Sequence, residues 1–230
     1  MNSVSFTTVD VFTCTRFEGN PLAVITDARG LGDVQMQKIA AEFGYSEVTF
    51  VLPPENPENT ARVRIFTPTA EVPFAGHPNV GTAFVLGQQS GVFGSPVGST
   101  LRFGEQAGLV RVDLKRDGNQ ILSASVRAPQ PFTTGRTINP ETVARCVSIP
   151  PEAVRTTTHS PLVVSVGLSF VVAELVDLPT LALARPDLAR FKDAAGPTLE
   201  GSHDFSLFVY VRSSNSPWDI RARMFAPLDN

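Results

Sequence analysis

The strongest constraint on the fold is the stretch from Arg62 to Leu86, which has the pattern of a strand followed by a turn and a buried helix. Polar and apolar residues alternate over Arg62-Val-Arg-Ile65, which is the period of a half-buried strand. Pro68 and Pro73 cannot donate a ladder hydrogen bond or continue a helix, so the chain is expected to turn between them.

A helix is predicted to begin at Gly76-His-Pro78, with Pro78 at its first position, where the missing N–H is not needed. Its body, Val80 to Leu86, is apolar or small on nearly every side, which predicts a buried helix. The N-terminus of such a helix presents unpaired N–H groups and the positive end of its dipole. A ligand that carries a carboxylate would suit this place.

The composition indicates a globular protein with a sizeable core. Of its 230 residues, 42% are apolar and 18% are charged, and soluble domains typically have about 25% charged residues. The net charge of −3 and the lack of a Lys/Arg cluster argue against nucleic acid or an anionic membrane as a partner. We see neither an apolar run long enough to span a bilayer nor a secretory signal, so we expect a cytoplasmic protein.

The cysteine and histidine content is low. The chain has two cysteines, Cys14 and Cys146, and three histidines, without the spacing of a metal site or a disulfide framework. We therefore expect no metal, and both cysteines are interpreted as small buried residues.

The order of predicted elements indicates an α+β protein. A domain boundary is expected at Pro129-Gln-Pro131, which gives domains 1–128 and 129–230. Helices are predicted at 33–43, ended by Gly44, and at 76–86, 140–146 and 180–191. Strands are predicted at 7–13, 22–26, 46–52, 62–65, 100–103, 108–114, 120–128, 205–212 and 219–225, with further apolar strands through 161–176.

Two stretches of the chain repeat each other. Arg62-Val-Arg-Ile-Phe-Thr-Pro68 matches Arg221-Ala-Arg-Met-Phe-Ala-Pro227, and upstream Thr49-Phe-Val51 is aligned with Leu207-Phe-Val209. This predicts two similar halves. A buried helix follows Pro68 in the first half but not Pro227 in the second, so the second domain is expected to lack its central helix.

Three motifs resemble those of the phenazine-biosynthesis PhzF-like family, within the diaminopimelate-epimerase-like superfamily. They are Val9-Asp-Val-Phe12 with Gly19-Asn-Pro-Leu-Ala-Val24, then Ser46-Glu-Val-Thr-Phe-Val51, and then the stretch from Arg64 through Gly76-His-Pro to Ala83. The resemblance implies two similar domains, each a curved mixed sheet wrapped around a central helix, with the active site in the cleft between them. It also implies an isomerase without a metal or an organic cofactor.

The resemblance assigns roles to four residues. Glu47 is expected to be the general acid/base that moves a proton on a small cyclic or aromatic-precursor carboxylic acid, because an apolar cleft can raise a carboxyl pKa toward the working pH. Ser46 and the backbone of Gly76 are expected to bind this substrate. His77 is expected to hydrogen-bond the substrate or to assist the proton transfer.

Other residues of the same types are given no role. His159 and His203 have no motif around them, and Glu71 with Arg62 and Arg64 are interpreted as solvated charges. Cysteine-dependent racemases of this superfamily carry a cysteine just before the helix glycine. Here Ala75 occupies that position, which argues against a two-thiol mechanism.

The family's second-half run, Asp-Pro-Ala-Thr-Gly-Ser, should follow Pro227 but is absent. Two hypotheses therefore stand. The chain is a PhzF-like, cofactor-independent isomerase, expected to be a homodimer, or it is an inactive truncated remnant or interaction protein that keeps the fold.

Overall fold

A computed structural model of the protein describes residues 3–196, 205–212 and 219–228. The chain divides into two compact units, Met1–Gln130 and Pro131–Asn230. This division lies within two residues of the boundary expected from the prolines. No described helix is both long enough and apolar enough to cross a membrane.

The first unit is built on an eight-stranded mixed sheet. Its strands are β1 (Phe6–Val11), β2 (Asn20–Ile25), β3 (Glu47–Leu52), β4 (Ala61–Phe66), β5 (Glu71–Val72), β8 (Thr100–Glu105), β9 (Gly108–Asp117) and β10 (Gln120–Arg127), with β6 (Gly91–Val92) and β7 (Ser95–Pro96) forming a separate hairpin. The order is β1-β2-β3-β4-β8-β9-β10, and β5 pairs with β4. Helices α1 (Asp33–Phe43) and α2 (Gly76–Gly87) complete the unit.

The predicted helix α1 is confirmed, including its ends. Gly32 is the N-cap, with its N–H donating to the Gln35 side chain at 3.0 Å. Gly44 ends the helix at a φ of 63°, a left-handed conformation that glycine adopts without strain. Met36 and Ala40 are buried against Phe50 on one face of the sheet.

The central helix α2 is buried nearly all round, as its composition predicts. It begins at Gly76, so Pro78 is the third helical residue and not the first. Gly81 brings α2 close to the sheet, because a Cβ at this position would lie 2.6 Å from Leu22 Cδ2. The hydroxyls of Thr82 and Thr49 are hydrogen-bonded at 2.8 Å in this interface, which satisfies two buried polar groups.

One interpretation of the charged residues is wrong. Arg64 donates to both carboxylate oxygens of Glu71, at 2.7 and 2.6 Å, and to Asp33 at 2.6 Å. The Arg64 and Glu71 side chains are only 13% and 17% exposed. They are not solvated, because β5 folds back on β4 and the N-terminus of α1 comes to the same place. Arg62, paired with Glu55, remains partly exposed.

The second unit contains a six-stranded sheet with the order β11-β13-β14-β15-β16, and β12 pairs with β14. Its strands are β11 (Thr133–Thr137), β12 (Val154–Arg155), β13 (Leu162–Ser165), β14 (Ser169–Leu175), β15 (Leu207–Arg212) and β16 (Ile220–Phe225). Its helices are α3 (Pro140–Cys146), α4 (Leu178–Leu183) and α5 (Leu188–Ala195), with a 3₁₀ turn at Pro151–Ala153.

The two sheets share a local topology, but the upstream half of the sequence repeat is displaced by one residue. In both units a parallel strand pair is followed by an antiparallel partner, β2-β3-β4 and β14-β15-β16. Val48 lies opposite Phe66, and Leu207 lies opposite Phe225. Leu207 therefore corresponds to Val48 and not to Thr49. The correction matters because a shift of one residue moves every side chain to the other face.

Corresponding sheet faces are covered differently in the two units. Ile65 belongs to the core that includes α2 and is 1% exposed, while its counterpart Met224 is 50% exposed. Residues of α3, α4 and α5 form the second core on the opposite face, with Leu207 and Val209. The absence of a second central helix stays a prediction.

The close approach of α2 to the sheet gives a stability test. Gly81→Val should lower the free energy of unfolding by about 1–3 kcal/mol, because the added carbons collide with Leu22 and Val11. Urea denaturation measures the change. Gly98→Ala is the control, since a Cβ there meets nothing within 4 Å. An unchanged Gly81→Val protein would contradict the packing described.

Candidate active site

The first unit brings Glu47 and His77 together. Glu47 is the first residue of β3, and His77 is the second residue of α2. Glu47 Oε2 lies 3.4 Å from His77 Nε2, and the two side chains are 15% and 9% exposed. These residues, which the family resemblance singles out, form one partly closed polar site.

Asn20 links Ser46 to His77 and was given no role by the sequence analysis. The Ser46 hydroxyl donates to Asn20 Oδ1 at 3.1 Å, and Asn20 Nδ2 lies 3.1 Å from His77 Nδ1. The signal was present in the Gly19-Asn-Pro21 motif. A Cβ on Gly19 would lie 2.5 Å from the Val11 carbonyl oxygen, so glycine is required where the chain enters β2.

The environment of Glu47 favours a neutral carboxyl. Burial raises the pKa of this group above its ordinary value, and a hydrogen bond with the Ser46 side chain partly opposes the rise. Glu47 Oε2 is buried and has no hydrogen-bond partner among the described residues. A carboxyl whose pKa is raised toward the working pH, with one oxygen free of partners, is suited to take up and release a proton.

His77 is held in its neutral form. Burial lowers the pKa of the imidazole to about 4, and a backbone hydrogen bond to Pro21 partly opposes this change. At neutral pH the contact between His77 and Glu47 is therefore a polar contact and not an ion pair. A neutral imidazole has one N–H and one bare nitrogen, so it can donate at one side and accept at the other.

Gly76 lies at the entrance of α2, beside open space. The N-cap residue, Ala75, has no side chain that can bond the first N–H groups of the helix. A Cβ built on Gly76 would meet nothing within 4 Å. This helix end can therefore accept an anionic group next to His77 and Glu47.

The cysteines and the other histidines lie elsewhere. Cys146 is buried in the second unit, and burial raises the pKa of its thiol to about 11. Cys14 is exposed. The prediction that both cysteines are buried is therefore wrong for Cys14. Cys14 lies in the loop between β1 and β2, which passes outside the core. His159 bonds the Tyr210 hydroxyl at 2.8 Å in the second unit. His203 lies outside the described residues.

Comparison with known proteins identifies similar sequences over nearly the whole chain. The family model of the PhzC-PhzF phenazine biosynthesis-like proteins matches residues 9–230. An uncharacterized isomerase of Mesorhizobium japonicum is 33% identical over 99% of this chain and 74% of its own length. The trans-2,3-dihydro-3-hydroxyanthranilate isomerase of Pseudomonas chlororaphis is 33% identical over 95% of this chain and 70% of its own length.

The fold is similar to that of a solved structure. A phenazine biosynthesis protein of the PhzF family from Bacillus anthracis superimposes with a TM-score of 0.77, at 21% identity, over 98% of this chain and 73% of that protein. At this level of identity the likeness concerns the fold. It agrees with the α+β architecture of curved sheets expected from the motifs.

The protonation of His77 gives a pH test. The native pKa of about 4 lies below the ordinary value of 6.5, so between these values the unfolded chain binds more protons than the native protein. Native stability should therefore fall as the pH is lowered from about 6.5 to about 4. The unfolding free energy is measured against pH for the unmodified protein and for His77→Gln, and the difference between the two isolates the contribution of His77. If this difference in unfolding free energy stays constant between pH 6.5 and pH 4, His77 is not held neutral.

Proposed function

This chain belongs to the PhzC-PhzF family of phenazine biosynthesis-like proteins and is an isomerase, and we propose that it isomerises a small cyclic carboxylic acid by proton transfer, with Glu47 as general acid/base. The observation that carries this proposal is the desolvated carboxyl of Glu47 at the entrance of α2, whose Oε2 lies 3.4 Å from His77 Nε2 and has no hydrogen-bond partner among the described residues. The substrate that names the relative from Pseudomonas chlororaphis, a dihydro-hydroxyanthranilate, is the first candidate for this chain.

We propose that α2 binds the substrate carboxylate. The uncapped entrance at Gly76 offers N–H groups and the positive end of the helix dipole, with open space beside it. Ser46 is exposed and lies immediately before β3, where its hydroxyl can also reach a polar substituent. These groups would fix the ring with one carbon close to Glu47.

Glu47 then carries the proton. As carboxylate it removes a proton from one ring carbon, and as carboxylic acid it returns that proton to another carbon of the same conjugated system. Electrons and atoms balance within the substrate, so this step needs no oxidant and no organic cofactor. The raised pKa of Glu47 brings its two forms closer in energy at neutral pH, which lowers the cost of each transfer.

His77 and Asn20 would support this chemistry. Neutral His77 can donate a hydrogen bond to a substrate atom on which negative charge develops. The imidazole does not have to become charged to do so. Asn20 holds the His77 ring and the Ser46 hydroxyl in one network. We further propose that the protein acts as a homodimer without nucleic-acid or membrane partners.

The role of Glu47 predicts a large kinetic effect. Glu47→Gln keeps the shape of the side chain but cannot shuttle the proton, so turnover of trans-2,3-dihydro-3-hydroxyanthranilate should fall by about 10²–10⁴-fold or more. Circular dichroism should show an unchanged fold. Glu42→Gln, on the exposed surface of α1, should keep full activity. A Glu47→Gln protein as active as the unmodified chain would exclude Glu47 as the acid/base.

Ligand binding separates this proposal from the hypothesis of an inactive remnant or interaction protein. 3-Hydroxyanthranilate has the same substituents on a stable aromatic ring and should raise the melting temperature by about 5 °C at about 100 times its Kd. 2-Aminophenol, which lacks the carboxylate, should raise it much less. Equal shifts, or none, would favour the non-catalytic hypothesis.

A further inference from the structure

A chain of polar side chains in the second unit begins at His159, a histidine without a motif around it. His159 lies between β12 and β13 and is half-buried. Its ring stacks on that of Tyr210, with the centroids 5.9 Å apart and the planes at 17°. His159 Nε2 lies 2.8 Å from the Tyr210 hydroxyl, which in turn lies 3.5 Å from Glu174 Oε2 on the neighbouring strand. The contacts therefore lead from the β12–β13 connection to the sheet.

Glu174 is the buried end of this chain. Its side chain is 5% exposed, and it lies between Arg155 of β12 and Tyr210 of β15 in one row across the sheet. Arg155 Nε and Arg212 Nε each lie 3.8 Å from one of its carboxyl oxygens. These distances allow ion pairs but are longer than those of hydrogen bonds. The two guanidiniums thus compensate the carboxylate charge, while the Tyr210 hydroxyl is placed to donate a hydrogen bond to Oε2.

The hydrogen bond at the other ring nitrogen of His159 fixes its tautomer. Nδ1 lies 2.8 Å from the carbonyl oxygen of Ser160. A carbonyl oxygen only accepts, so Nδ1 carries the hydrogen. In the neutral ring Nε2 is then bare, and the hydrogen between Nε2 and the Tyr210 oxygen must come from the hydroxyl. Neutral His159 therefore takes the single hydroxyl hydrogen of Tyr210, and Glu174 does not receive it.

Protonation of His159 reverses this hydrogen bond. An imidazolium carries a hydrogen on each nitrogen, so Nε2 becomes the donor and the Tyr210 oxygen becomes its acceptor. The hydroxyl hydrogen then turns to Glu174 Oε2. Arg155 and Arg212 have donors only, so neither guanidinium can accept this hydrogen instead. The geometry admits two arrangements of one hydrogen, and the protonation of His159 selects between them.

The other neighbours on this face of the described sheet are apolar. Glu174 and Tyr210 point away from the core that contains Ala173 and Val209. Leu162 of β13 pairs with Val172, and Ala222 of β16 pairs with Tyr210, which places both on the same face. The titratable and charged side chains that β12, β14 and β15 direct toward His159 are Arg155, Glu174, Tyr210 and Arg212.

We propose that Tyr210 is a proton-controlled switch, whose hydroxyl donates to His159 when that ring is neutral and to Glu174 when it is protonated. The proton comes from solvent, and the N–H of His159 is the one bond that forms. Proton uptake by a half-buried residue is thereby transmitted to a buried carboxylate on β14. The switch lies within the second unit, and its test needs neither a substrate nor the proposed isomerase activity.

The first test is an NMR titration of the full chain labelled with ¹⁵N in the histidine rings. The chain has three histidines, so His77→Gln and His203→Gln identify the His159 signals by elimination and leave the switch intact. On the alkaline side of its titration, His159 should show a protonated Nδ1 and a bare Nε2. A neutral ring with its hydrogen on Nε2 would overturn the proposal.

The second readout is the Cζ signal of Tyr210 in protein labelled with ¹³C at this carbon. The chain has two tyrosines, and Tyr45→Phe assigns the two signals. The Tyr210 signal should shift with the same midpoint as the His159 ring, and His159→Gln should abolish this shift. A Tyr210 signal that stays constant while His159 titrates, or the same transition in His159→Gln, would contradict the switch.

Tyr210→Phe separates transmission through the hydroxyl from the direct effect of the imidazolium charge. The ¹³C-labelled carboxyl of Glu174, assigned with Glu174→Gln, should shift as His159 titrates in the unmodified chain. Tyr210→Phe keeps the stacked ring but lacks the hydroxyl, so this shift should become several-fold smaller. Tyr45→Phe, the matched control, should retain it in full. An equal shift in Tyr210→Phe would show that charge alone acts on Glu174, and the proposal would fail.

Discussion

The first unit depends on the close contact between α2 and the sheet. Gly81 lets the helix approach the strands, because a Cβ there would overlap Leu22, and the Thr49–Thr82 hydrogen bond satisfies the polar groups that this contact buries. A helix held in this way cannot shift without opening the core around it. Its N-terminus therefore has a defined position, and the geometry of the site at Gly76 and His77 follows from that position.

The same contact determines the electrostatics of the site. Glu47 and His77 lie at the ends of elements that pack on each other, and both lose water in the process. Desolvation disfavours the charged form of each group, so it raises the pKa of the acid and lowers that of the imidazole. Burial thus favours the uncharged form of both groups, and Glu47 Oε2 and His77 Nε2 have no hydrogen-bond partner among the described residues. Under the proposed mechanism, this state suits a charged substrate whose carboxylate would be bound by the helix end.

Two buried ionisable groups of the first unit, Arg64 and Glu105, differ in whether a charged partner compensates them. Arg64 is buried but bound on several sides by Glu71 and Asp33, so it can stay charged. Glu105 is buried without such a partner, and burial raises its pKa. The first arrangement fixes β5 and the start of α1 on the sheet. Arg64 thus keeps its charge through its ion-pair partners, whereas burial disfavours the charged form of Glu105.

The sequence by itself determined the α+β class, the ends of α1 at Gly32 and Gly44, and the burial of α2, because these depend on local periodicity and glycine positions. Short motifs also identified one set of candidate residues, Ser46, Glu47, Gly76 and His77. Tertiary structure decided what depends on distant partners. Asn20 joins Ser46 to His77 across the sheet, Arg64 and Glu71 lose their solvent, and pairing opposite Phe225 fixes the register of Leu207. Such contacts leave no periodic trace, since each is made by residues far apart in the chain whose spacing only the folded sheet defines.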